Sequence, residues 1–259
     1  MIKKSISVIA FLACLAVFLY SAFRLYSYYR TYEDGKKEYE ELKGYTSRQE
    51  DADGADRDGS GRKKDKCPLK VDFEALSRVN KDVAGWIYIP DTEISYPIVQ
   101  SEDNDYYLHR TFEKKKSYVG AIFLDALCKR DFSSTNSIIY GHNLKNGEMF
   151  GHLKPLYDKA YNSKADYRKH PVIWIITPEK EMEYGIFSVR EISTSKDMEV
   201  YTIEFAGRED YKDFLSRQVR ASLQPSGQMP ADDAAMITLS TCTSRSEEGR
   251  FIVQAARIQ

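Results

Sequence analysis

Three textures follow one another along the chain. Residues 6–23, ISVIAFLACLAVFLYSAF, form an apolar run broken by two serines and free of charge. As a helix, at 1.5 Å per residue, this run just covers a bilayer core of roughly 30 Å. Residues 30–66 are charged and poor in aliphatics, and hold too little apolar surface to fold alone. Glu and Lys at helical spacings extend a helix over residues 30–42, and residues 46–66 read as a flexible stalk. From residue 67 onward, short apolar runs alternate with polar turns.

In this third part, FEALSRVNKDVAGWIYIP (73–90) reads as a helix, then Gly85, then a strand with Trp86, Tyr88 and Pro90 alternating. SYPIVQ (95–100), GAIFLD (120–125) and NSIIYGHN (136–143) read as further strands, and GEMFGHLKPLYD (147–158) as a short helix. PVIWIITP and KEMEYGIFSVREI form a hairpin turning near residues 179–181. Tyr211, Phe214, Leu215, Val219 and Leu223 recur at helical spacing within 209–223. AAMITLSTC and RFIVQAARI close the chain as strands. Many short strands with inserted helices, and no strand–helix–strand alternation, predict a mostly antiparallel barrel or sandwich.

The expected organisation is a cytoplasmic tip and transmembrane anchor over 1–29, a charged stalk over 30–66 and a catalytic domain over 67–259. Tyr20, Tyr26, Tyr28 and Tyr29 suit an interfacial aromatic belt. A cleaved signal peptide is the alternative, but YSAF makes a poor cleavage site. Both readings export the rest of the chain. The charge bias is weak, with Lys3 and Lys4 before the run and Arg24 and Arg30 after it.

Charge and composition narrow the function. A formal net charge of −1 gives no electrostatic footprint for nucleic acid. The four cysteines, Cys14, Cys67, Cys128 and Cys242, show no CxxC spacing, and the four histidines include no HxxxH pair, so neither a metal nor another cofactor is expected. Cys67 and Cys128 could pair as a disulfide outside the cytoplasm.

Cys242 has three readings: a buried strand-end thiol, a disulfide partner, or a nucleophile served by a base and by oxyanion donors. His142 ends another strand, in the turn GHN, where Gly141 leaves the imidazole uncrowded. Arg250 opens the last strand. Each residue alone has a structural reading; the three together, all at strand boundaries of an exported domain, form a more specific constellation.

With TLSTC at 238–242, YGHN at 140–143 and Arg250 heading the next strand, the chain resembles a sortase, a membrane-anchored cysteine transpeptidase of Gram-positive bacteria. The likeness extends through NKDVAGWIYIPDTEISYPIVQ, DNDYYLHRTF and GAIFLD, and the two helices and the TLSTC wording are similar to class B. The resemblance implies a mainly β fold: a closed barrel with an N-terminal helix and a helix inserted between late strands. It implies Cys242, His142 and Arg250 as catalytic positions, with Arg245 in the turn the lesser candidate. Asn104, Ser240, Thr241 and Thr243 become substrate-binding candidates, although alternation keeps Ser240 and Thr241 off one face. Asn104 could equally be a turn cap. The implied partners are exported proteins with a C-terminal sorting motif and a cell-wall amine. A hydrolytic cysteine peptidase, a pilin-polymerising sortase and a silent wall-binding module are the rival readings.

Overall fold

The computed structural model describes residues 2–49, 66–153, 172–223, 229–243 and 248–258. A long helix, α1 (Ile2–Lys43), leads into a small antiparallel pair, β1 (Thr46–Arg48) with β2 (Leu69–Val71). Next come α2 (Phe73–Val79), β3 (Val83–Tyr88), β4 (Ser95–Val99), β5 (Ile122–Leu124) and β6 (Asn136–Tyr140). The chain continues through β7 (Val172–Ile176), β8 (Glu181–Ser193), α3 (Arg208–Ala221), β9 (Met236–Cys242) and β10 (Gly249–Arg257). Short 3₁₀ turns lie at Tyr106–Leu108 and Met198–Tyr201.

Eight strands close a barrel in the order β10-β8-β7-β3-β4-β5-β6-β9. The barrel alternative predicted from the strand pattern is therefore the one adopted, and closure gives each of the eight barrel strands a partner on both sides. Two ladders depart from the antiparallel rule: β4 runs parallel to β5, and β6 parallel to β9. Side chains alternate along β9. Ile237 and Leu239 join the main core, while Met236 joins a second cluster on the outer wall. There α3 lays down Tyr211, Phe214 and Leu215, the stripe predicted from spacing. Leu223 falls outside it: Ser222 turns extended and the Leu223 N–H goes to the Val189 carbonyl.

Local signals explain several boundaries. The Asp72 carboxylate accepts the Ala75 N–H (2.9 Å) to cap α2, and the Asn80 N–H closes its other end on the Leu76 carbonyl. The β7–β8 hairpin closes through Thr177 N–H to Lys180 O. Of the predicted helix at 147–158, residues 154–158 lie outside the described residues.

The largest difference from expectation lies before residue 67. Tyr32, Gly35, Tyr39 and Leu42 recur once per helical turn, and this face of α1 packs against the barrel. Gly35 lets the helix approach closely; a Cβ there would lie 3.0 Å from Val119 Cγ2. The Tyr39 hydroxyl donates to Gly120 O (2.7 Å) and accepts the Phe112 N–H (3.1 Å). The buried Glu38 carboxylate accepts from Thr111 Oγ1 (2.9 Å) and Glu113 N (2.8 Å), beside Lys115. The segment read as a charged tether is thus, over 31–48, part of the folded unit. One apolar residue per turn suffices when its neighbours' polar groups are satisfied. Residues 50–65 of the expected stalk lie outside the described residues.

Cys67 and Cys128 are buried free thiols rather than a disulfide. They sit in separate surroundings: Glu181 and Glu183 bear electrostatically on Cys67, while Cys128 Sγ accepts the Ile138 N–H. Burial pushes each thiol up to about 12.

Because Leu42 is only 2% exposed, Leu42→Ala in the full chain is expected to lower unfolding free energy by about 2–5 kcal/mol. Leu25→Ala, on the exposed part of the helix, is expected to leave it unchanged. Denaturant titration in detergent checks both; equal stability for the two variants would mean that α1 does not pack on the barrel.

Candidate active site

The parallel pairing of β6 with β9 brings the candidate residues together. Tyr140 lies opposite Ser240, so both strands leave the sheet at one rim, in step. Two residues beyond this matched pair stand His142 and Cys242. The Gly141 N–H donates to Ser240 O (3.2 Å), carrying the ladder past the end of β6. Asn143 Nδ2 then donates to the Cys242 carbonyl (2.8 Å), tying the two chain ends together. The antiparallel β10 places Arg250 directly across from Cys242. Opposed residues of such a pair share a face. Thiol and guanidinium therefore leave the sheet on the same side.

Cys242 is exposed, Arg250 half-buried. Both line a cleft of about 270 Å³ with His142, Ser240, Asn104, Leu108, Phe123 and Tyr140. The His142 Nε2–H donates to the Leu108 carbonyl (2.7 Å), the tautomer a carbonyl acceptor requires. Nδ1 is then the nitrogen available to gain or lose a proton. Gly120, at φ +64°, passes beneath the ring; a Cβ there would lie 2.6 Å from His142 Cδ2. The Gly120 carbonyl is the group held by Tyr39 of α1. A short relay of contacts thus runs from the N-terminal helix to the imidazole.

The cleft wall is a polar network on the outer face of the barrel. Tyr140 donates to Asp125 Oδ2 (2.9 Å), as does Asn104 Nδ2 (2.8 Å). The Asn104 carbonyl oxygen accepts the Ala126 N–H (2.8 Å). Asn104 therefore clips two loops together at the cleft edge, a longer-range form of the capping alternative. Tyr201 shares a hydrogen bond with Ser240 Oγ (2.9 Å) and stacks near Tyr140. Burial pushes the Tyr201 phenol up, against the field of Arg250 and with that of Cys242, so all three share one electrostatic neighbourhood.

Not every candidate comes to this place. Thr241 does line the cleft, but it lies opposite buried Phe251, and alternation turns its side chain to the other face from Ser240 and Cys242. Thr243 does not line the cleft, and its N–H donates to Gly249 O (3.0 Å); it is no spare donor. Arg245 lies outside the described residues. Sequence reading missed Asn143, Gly120, Tyr140 and Tyr201 as parts of the site. Asn143 stood inside the quoted YGHN and was readable as a turn residue, while the need for Gly120 shows only in its positive φ.

Exposure separates the thiols sharply. An alkylating reagent at mild alkaline pH is expected to modify Cys242 in the folded chain and to reach Cys67 and Cys128 only after denaturation, because burial holds those two near 12. Site-resolved mass spectrometry reads this directly; Cys128 reacting as fast as Cys242 would contradict the packing described.

Comparison with known proteins gives a consistent result. A sortase domain model matches residues 87–258. Sortase B of Listeria monocytogenes is 37% identical over 188 residues, covering 72% of this chain and 74% of that one. Sortase B of Staphylococcus aureus is 32% identical over 195 residues, covering 73% and 75%. Among solved structures, Bacillus anthracis sortase B in complex with AAEK1 superposes with a TM-score of 0.69 at 28% identity, covering 89% of this chain and 99% of that one. Clostridium perfringens sortase B superposes with a TM-score of 0.65 at 28% identity, covering 73% and 100%. The barrel, the rim constellation and these likenesses agree, and the chain belongs to the sortase family, in its class B branch.

Proposed function

We propose that the chain is a cysteine transpeptidase in which Cys242 is the nucleophile, His142 the proton carrier and Arg250 the oxyanion donor. The observation that carries this reading is the in-step arrival of all three at one rim, facing one cleft.

In the first half-reaction, the Cys242 thiolate adds to the carbonyl carbon of the Thr in a sorting motif. His142 Nδ1 gives its proton to the leaving amine as the C–N bond breaks, and an acyl-thioester remains. Leu108 O, accepting from Nε2, steadies the ring and leaves Nδ1 to carry the transferred proton. Arg250 supplies a planar, permanently charged donor to the developing oxyanion. In the second half, a cell-wall amine loses a proton to His142, attacks the thioester and releases the thiolate. In this reading Ser240, which lines the cleft and shares a hydrogen bond with Tyr201, and Asn104 at the cleft edge contact the motif; their positions in the cleft support it. Helix α1 is the one described helix long and apolar enough to cross a membrane. Read as an uncleaved anchor, N-terminus inside, it holds the cleft where exported substrates and wall precursors emerge.

The full chain in detergent, incubated with quenched NPxT(G/N/S)-type peptides with and without an amine, is expected to cleave after Thr and form the amide adduct. Cys242→Ala is expected to lose turnover by roughly 10³-fold or more with its circular dichroism unchanged. Cleavage with no adduct under any amine would favour a hydrolase; turnover surviving in Cys242→Ala would remove the thiol from the mechanism.

Gly120→Ala places a methyl against the His142 ring. The expected result is a fall in kcat of about 10²-fold, with peptide KM and Cys242 alkylation little altered. A fall in KM-dependent binding alone would place the defect in the groove instead.

A further inference from the structure

We propose that residues 116–118, in a loop of the folded domain, form a second membrane contact, with Tyr118 and Lys116 lying in the headgroup layer of an anionic bilayer. This rests on the reading of α1 as a membrane anchor.

The loop is fixed to α1 at a definite level. The Tyr118 ring packs on Tyr28, with centroids 4.7 Å apart. Ser117 Oγ reaches the Thr31 carbonyl (3.5 Å), and Val119 abuts Gly35. The loop therefore runs alongside two turns of the helix, starting at Tyr28.

That level is set by residue count. The apolar run ends at Phe23, and at 1.5 Å per residue Tyr28 lies about 7.5 Å beyond it. The run of residues 6–23 spans about 27 Å, no more than the hydrocarbon core it must cross, which leaves no length to spare for tilt. A helix standing near the membrane normal shares its height with whatever packs beside it. The headgroup layer is roughly 5–8 Å thick on each side, so Tyr118 reaches its outer margin.

The exposed chemistry suits that layer. Tyr118 is 56% exposed and Tyr28 48% exposed, though both rings are large and apolar. An aromatic ring with a polar tip is the side chain favoured at a bilayer interface. Neighbouring cations divide by role: Lys114 pairs with Asp82, and Lys115 with Glu38 and Glu113. Lys116 is exposed beside Tyr118, and Arg24 and Arg30 are exposed on the adjoining helix. Together they present positive charge to lipid phosphates, while the acids Glu33 and Asp34 stand a turn or more further out. An anchor alone lets a domain swivel; a second point of contact fixes which way the cleft faces.

The test uses the full chain in phosphatidylglycerol-containing nanodiscs whose lipids carry bromine at a shallow acyl position. Tyr118→Trp places an indole on the loop, against a background of the buried Trp86 and Trp174. The expected result is loss of the added emission in brominated discs, weakened by Lys116→Glu. A parallel Tyr28→Trp variant reports on the helix. Quenching at position 28 without quenching at 118 overturns the loop contact and leaves the anchor standing. No quenching at either position means that α1 is outside the bilayer, and the anchor reading fails together with this proposal.

Discussion

The structure depends on one ladder, the parallel pairing of β6 with β9 at the register Tyr140 opposite Ser240. Parallel neighbours cannot be joined by a tight turn, so the chain between them must make a long excursion. It spends that excursion on β7, β8 and α3, which complete the barrel and cover its outer wall. In return, two strand ends far apart in sequence emerge side by side. A one-residue slip would turn every side chain to the opposite face and separate Cys242 from both of its neighbours. Core packing of Ile237, Ile139 and Leu239 therefore guards the geometry of the rim.

Around that rim, backbone groups orient the side chains described. The Leu108 carbonyl holds one nitrogen of His142, the bare face of Gly120 admits the ring, and Asn143 tethers the Cys242 carbonyl. Backbone groups are stiff supports because their own ladders and turns over-determine them. The Gly120 carbonyl is in turn fastened by Tyr39, whose hydroxyl serves two partners at once. The N-terminal helix is therefore part of the support of the site although none of it lines the cleft.

Much of this was legible in the residues. The strands, the stripe of α3, the terminal apolar run and the triple of Cys242, His142 and Arg250 follow from alternation, spacing and position at strand ends. What stayed hidden was relational. Nothing in NSIIY or MITLS says that they run parallel, because register belongs to the pair and not to either strand. The packing face of α1 was masked by its charge: Tyr32, Gly35, Tyr39 and Leu42 are sparse among Glu and Lys, and glycine does not look like a packing residue until its neighbour is known. Thr243 stood as a substrate-binding candidate because the partner of its N–H, Gly249 O, lies across a turn. Asn104 divided evenly between two readings, and the structure gives it the clip while leaving it at the cleft edge.

Helix α1 runs without a break from the apolar segment into the face that grips the barrel. The residues between these two parts act as a phase shifter. Each residue added or removed there would turn the domain by about 100° and raise or lower it by about 1.5 Å. Chain length in this stretch thus sets the height of the domain and its angle to the apolar segment in discrete steps, a coupling that no flexible tether would impose.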